Sequence, residues 1–152
     1  MENLEKNYEL KKQDTGLATL LHLSIMAKYI FPFMGIIAPL IIWKTRNQED
    51  QFIEENAKSV INFQISTFIY GVVLVVIAMI FFGGTILNYI QLAANESINE
   101  DFIPIGIITT TVISLIIFAF WSIAEFVLII IGALKASNGM VYNYPFTLKI
   151  LK

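Results

Sequence analysis

Nine of the ten Lys and Arg side chains in this chain lie outside its long apolar stretches, Lys28 being the exception, and none falls between Ile61 and Leu134. Basic residues are strongly disfavoured in hydrocarbon and collect on the cytoplasmic side of spanning segments, so this spacing points to a bilayer and also gives an orientation. The rest of the composition agrees. Only 14% of the residues are charged and 57% are hydrophobic, where a soluble domain carries roughly a quarter charged. At 152 residues the expectation is one all-α integral membrane helical bundle, because two separate domains would leave each too few helices to satisfy the backbone in lipid.

Residues 1–16 are polar, with Lys6, Lys11 and Lys12, and read as a retained cytoplasmic tail rather than a signal peptide. Residues 17–152 form the membrane domain. The stretch from Leu17 to Trp43 is apolar but interrupted by Lys28, Pro32, Gly35 and Pro39. At about 1.5 Å per helical residue it measures roughly 40 Å, enough for one tilted span and too short for two full ones. Residues 44–58 are charged, with Phe52, Ile53, Ala57 and Val60 at helical spacing, which suits an interfacial amphipathic segment. A helix over about 50–83 then enters the bilayer and is expected to stop at Gly83-Gly84. A last helix over about 104–135 follows, opening at Pro104. Residues 140–152 read as an interfacial tail.

The loop near 44–58 holds Lys44, Arg46 and Lys58, the loop near 85–103 holds only Glu96, Glu100 and Asp101, and Lys135, Lys149 and Lys152 follow the last helix. The middle loop therefore faces outward and both termini are cytoplasmic. That threading requires residues 17–43 to leave and return on one side. They are predicted to form two short helices, about 17–31 and 34–44, in a hairpin broken at Pro32 that penetrates the bilayer partway. The localisation that follows is a prokaryotic cytoplasmic (inner) membrane, multi-pass.

Glu125 is the costliest residue of the last helix. It sits about ten residues, hence roughly 15 Å, from Lys135, and an ionisable group at that depth turns into the bundle and is paired or neutral. Lys28, near the hairpin tip, reaches a comparable depth, so a Lys28–Glu125 contact is one expectation. A neutral Glu125 with a snorkelling Lys28 is the other. Lys58, Asn62, Ser66 and Tyr70 recur every four residues and share a stripe that faces protein. With His22 and Gln64 they are candidates for helix packing or for a polar cleft. Lys135, Asn138 and Gly139 suit a helix stop, with cationic charge at the negative end of the dipole and two residues tolerant of a left-handed turn. Tyr144 and Pro145, with Tyr142 and Phe146, suit an aromatic interface belt.

The segments Leu21-His22-Leu23-Ser24, Pro39-Leu40-Ile41-Ile42-Trp43, Lys58 with Asn62-Phe63-Gln64, and Lys135-Ala136-Ser137-Asn138-Gly139 followed by Tyr144-Pro145 resemble, in order and spacing over residues 17–150, a widespread prokaryotic family of small membrane proteins of unknown function. That family is grouped by distant similarity with the small channel component of the chloroplast inner-envelope protein import translocon. The resemblance implies four helices with both ends on one side.

Cysteine is absent and His22 is the single histidine, so no metal site and no cofactor are expected. No zinc-protease helix motif, nucleophile elbow or phosphate loop occurs, and the net charge of −2 gives no field for nucleic acid. The leading expectation is a non-enzymatic scaffold or accessory subunit of a membrane complex, partnered by lipid and by another membrane protein or by copies of itself. A small oligomeric channel or transporter is the alternative, and a membrane-embedded hydrolase comes third.

Overall fold

The computed structural model describes residues 15–45, 50–95 and 105–151. The expectations for residues 1–14 and for Arg46, Glu96, Glu100, Asp101, Pro104 and Lys152 lie outside them. Every regular element among the described residues is helical. We label them α1 (helical over 15–24, tightening to a 3₁₀ turn at Ile25–Tyr29), α2 (Met34–Lys44), α3 (Gln51–Ala94) and α4 (Ile105–Ser137).

The opening stretch is two short helices. Residues 30–33 form the turn between them, where Pro32 lacks an N–H and biases the preceding residue away from helix. α1 departs from the expected 17–31 by tightening to 3₁₀ from Ile25. Asp50 caps α3: its Oδ1 accepts the N–H of Phe52 at 3.0 Å, which satisfies one of the orphan donors of the first turn.

Two expectations about α3 are corrected. The charged residues from Gln51 onward do not form a separate interfacial segment but belong to the same helix as the apolar run, and Gly83-Gly84 does not end it. A helix stops where its last carbonyls find other donors. The apolar run around these glycines offers none, and a glycine inside a helix costs only about 1 kcal/mol. The helix therefore runs on to Ala94 for 44 residues, roughly 66 Å.

Two compact units emerge, one drawing its described residues from Met1–Phe68 and Glu125–Lys152, the other being Ile69–Ala124. The first has the core: Leu21, Ile25, Val60 and Ile129 are fully buried, with Ala18, Ile53, Ala57, Phe63 and Ala136 around them. In the second, none of the described residues is charged and large apolar side chains such as Met79, Ile80, Phe81, Leu115, Ile116 and Phe118 stand exposed. An apolar surface this continuous is untenable in water and natural in lipid. α3 and α4 are the two described helices long and apolar enough to cross a membrane.

Candidate functional site

α4 ends where the sequence places its stop. Gly139 takes φ 72°, a left-handed conformation that glycine adopts without steric penalty. The N–H of Gly139 donates to Ala136 and that of Met140 to Lys135, both at 3.0 Å, the paired lock of a glycine-ended helix. Asn138 adds a side-chain bond to the Leu134 carbonyl at 2.8 Å. The chain then turns back toward α3 and brings Tyr144 into the core.

Tyr144 is 5% exposed and stacks on Phe63, with centroids 3.9 Å apart and planes within 10°. The aromatic-belt reading of Tyr144 is thereby corrected: its ring has an apolar partner inside the bundle and its hydroxyl a polar one. Pro145 and Phe146 are exposed. The polar partner is His22, whose Nδ1 lies 2.7 Å from the Tyr144 hydroxyl. On the other side of the ring Nε2 lies 3.0 Å from Asn56 Oδ1.

The proton positions follow from Asn56. Its Nδ2 donates to the Phe52 carbonyl at 2.9 Å, so Oδ1 faces His22 as an acceptor and Nε2 must carry the hydrogen. Nδ1 is then the acceptor for the Tyr144 hydroxyl, and His22 is a neutral imidazole tying α1, α3 and the carboxyl segment together. Gly132 of α4 closes the cluster from beneath. A Cβ there would lie 2.6 Å from His22 Nδ1 and 2.7 Å from the Tyr144 hydroxyl, so only glycine permits this approach.

Burial pushes the His22 imidazole below its ordinary value, partly opposed by the Asn56 hydrogen bond, and pushes the Tyr144 phenol up, with Tyr142 and Glu125 adding to it. A histidine that binds its proton more weakly folded than unfolded contributes stability that is full above about pH 6.5 and is lost as the pH falls below it. In detergent, the melting temperature is expected to be lower at pH 5 than at pH 8, with the difference shrinking in His22→Gln. That variant keeps a donor for Asn56 and takes up no proton; a pH response it leaves unchanged would place the titrating group elsewhere.

A second cluster lies at the carboxyl end of α1. Lys28 Nζ forms an ion pair with Glu125 Oε1, and Gln64 Nε2 donates to the same oxygen at 3.3 Å. Glu125 is 6% exposed. The ammonium of Lys28 also lies 5.3 Å from the Tyr29 ring centre. α2 reaches this cluster through Gly35, where a Cβ would come within 2.7 Å of Gln64 Oε1 and 3.0 Å of Lys28 Cβ.

The four-residue stripe divides its duties. Lys58 pairs with Glu54 at 2.6 Å. Asn62 and Ser66 hold main-chain groups of the carboxyl segment, and Ser59, which follows Lys58 in sequence, donates to the Tyr142 carbonyl. Tyr70 belongs to the second unit and meets Trp121 edge-on at 6.2 Å. His22 and Gln64 thus serve two different clusters rather than one wall. Asn56 and Ser59 are the hydrogen-bonding positions that the sequence reading left out of its site. Asn56 could have been found, since it precedes Val60 by one helical turn on a face otherwise apolar.

Among the described residues no buried side-chain nitrogen or oxygen lacks a hydrogen-bond partner, and no group of three His, Cys, Asp or Glu is placed to hold a metal. The clusters join elements from distant parts of the sequence. Compared with known families, residues 13–151 match one described as a magnetosome magnetite crystal formation protein family, MamF/MmsF. The match is to a prokaryotic membrane family and shows no link with the chloroplast import component. Comparison with curated proteins and with solved structures finds no match.

Proposed function

We propose, from the premise that this chain belongs to the magnetosome magnetite crystal formation protein family, that it is a non-enzymatic accessory protein of a prokaryotic membrane, supporting an assembly through helix packing and its cytoplasmic face. The observation that carries this is the use made of the buried polar side chains. Each of the two clusters bridges segments far apart in the chain: His22 with Asn56 and Tyr144, Lys28 and Gln64 with Glu125. Buried networks with all members satisfied rigidify a bundle and specify one arrangement of it, which is what a scaffold requires. The stripe read as one wall of a cleft carries the chain's own carboxyl segment, which favours packing over conduction.

The membrane is the prokaryotic cytoplasmic one, with both termini inside. The native chain lacks cysteine, so single cysteines at Asn7, Asn95 and Asn143 give a direct check. In intact cells a membrane-impermeant maleimide is expected to label only the one at Asn95. Labelling of Asn7 with protection of Asn143 would overturn the threading.

The accessory role is tested by crosslinking in cells followed by mild-detergent purification, which is expected to recover other membrane proteins with the chain. Reconstituted alone in liposomes, it is expected to leave ion permeability at background. A leak that rises with protein density would instead favour the oligomeric channel. A place beside a translocation complex rests on the resemblance to the import component, and the same crosslinking, recovering a protein-conducting partner, would supply its support.

A further inference from the structure

The carboxyl segment follows α3 and then turns back on itself. The Tyr142 carbonyl accepts from Ser59, Tyr144 stacks on Phe63, and the Leu148 N–H donates to Ser66 Oγ at 2.8 Å. There the chain reverses: the Ile150 N–H is shared between the Leu148 carbonyl at 3.0 Å and Asn62 Oδ1 at 3.2 Å. Leu151 returns to Asn62, donating to Oδ1 at 2.8 Å and accepting from Nδ2 at 2.9 Å. The main chain of the turn is thus held by buried side chains of α3, while the Leu148 and Ile150 side chains stand 42% and 50% exposed. Backbone polarity satisfied within the protein, with apolar side chains left outside, is the condition under which an irregular segment can border hydrocarbon.

Lys149, at the crown of this turn, fixes its depth. Lying between Leu148 on Ser66 and Leu151 on Asn62, it stands at the height of Gln64 and hence of the Lys28–Glu125 pair. Lys28 is neutralised by Glu125, whereas Lys149 is exposed and has no acidic partner among the described residues. An unpaired ammonium is expensive inside hydrocarbon, so this height belongs to headgroups. The charge pattern of α4 agrees: ahead of Glu125 no charged residue occurs back to Ile105, roughly 30 Å of helix, which is the thickness of a hydrocarbon core. The turn between α1 and α2 arrives at the same place. Phe33 meets the Phe68 ring at 6.4 Å, and Ile30 and Phe31 beside it are 76% and 64% exposed. Two turns from opposite ends of the chain therefore present apolar side chains near one level of α3, with Lys149 among them.

We propose that residues 148–150 bind the headgroup boundary of an anionic bilayer leaflet, with Lys149 on a phospholipid phosphate and Leu148 and Ile150 among the upper acyl carbons. A cation flanked by two apolar side chains matches that boundary, because its stem covers apolar surface while the ammonium reaches the phosphate. Zwitterionic lipid offers a phosphate too, but holds its own cation beside it, so the preference is for headgroups of net negative charge. Lys28 and Glu125 then lie at the edge of the hydrocarbon rather than in its middle, where an ion pair can keep both its charges.

The native chain lacks cysteine, so a bimane fluorophore on Leu148→Cys reads the surroundings of the turn in the full-length protein, reconstituted in vesicles of equal phosphatidylglycerol and phosphatidylcholine. Quenching is expected from lipids carrying a nitroxide high on the acyl chain, more from labelled phosphatidylglycerol than from labelled phosphatidylcholine, and little from aqueous iodide. Lys149→Gln should lower the excess of phosphatidylglycerol about fivefold, the worth of one cation at an anionic surface, and Lys149→Arg should preserve it. Should the label at 148 disturb the fold, as judged by the detergent melting curve, Ile150→Cys carries the same measurement. Free access of iodide to the fluorophore, equal quenching by the two lipids, or a preference unaltered in Lys149→Gln would overturn the proposal.

Discussion

Replacing Lys28 with methionine, or Glu125 with glutamine, is expected to destabilise the protein by about 3–5 kcal/mol, and combining the two is expected to return most of the loss. The reasoning starts from burial. The Lys28 and Glu125 side chains are 17% and 7% exposed, so either single change leaves a charge desolvated with no counter-ion, the situation in which breaking a buried pair is most damaging. The double variant removes both charges, and glutamine at 125 keeps an oxygen for Gln64 Nε2. Unfolding in mixed detergent micelles, analysed as a double-mutant cycle, measures the coupling directly. Additive losses, or single variants within about 0.5 kcal/mol of the parent, the range of a substitution remote from any such feature, would mean that the pair contributes nothing to holding α1 against α4.

Gly132→Ala should be nearly as costly, about 2–4 kcal/mol when the strain of overpacking, about 1–3 kcal/mol, is added to one lost buried hydrogen bond. The added methyl meets His22 Nδ1 at 2.6 Å and the Tyr144 hydroxyl at 2.7 Å. Neither can move cheaply, because His22 is fully buried and pinned at its far nitrogen by Asn56, and Tyr144 is pinned by its stack on Phe63. The loss should appear as a lower melting temperature together with easier proteolysis after Gly139, since Tyr144 anchors the carboxyl segment. Tyr144→Phe, which removes the oxygen but keeps the stack, should cost less, about 1–2 kcal/mol from an unpaired His22 Nδ1. A Gly132→Ala variant as stable as the parent would show that the cluster has room.

The local elements were the legible part of this fold. Pro32 falls in the turn between α1 and α2 because proline restricts itself and its predecessor. Asn138-Gly139 marks the end of α4 because few residues tolerate the left-handed turn that Gly139 takes. The pairing of Lys28 with Glu125 was one of two open readings because each is the lone charge of its apolar stretch, so each has few possible partners. Gly83-Gly84 misled. Glycine weakens a helix but does not stop it, and stopping needs donors that an apolar run does not supply. The His22–Tyr144 bond, which spans 122 positions, had no local trace, since periodicity reports the face a residue occupies and not what lies across from it. Tyr144 itself was misjudged as interfacial because an aromatic next to proline at the end of a membrane domain has the same composition whether it points to headgroups or into the bundle.

The chain's single histidine sits where three segments converge, with its two nitrogens in unlike roles. In a nitrogen-15 spectrum this imidazole contributes one protonated and one bare resonance and nothing else overlaps them. Opening the cluster would let the tautomers average and draw the two lines together. The molecule thus carries an intrinsic gauge of whether its carboxyl segment is seated, readable in native lipid without a tag or a label at any other position.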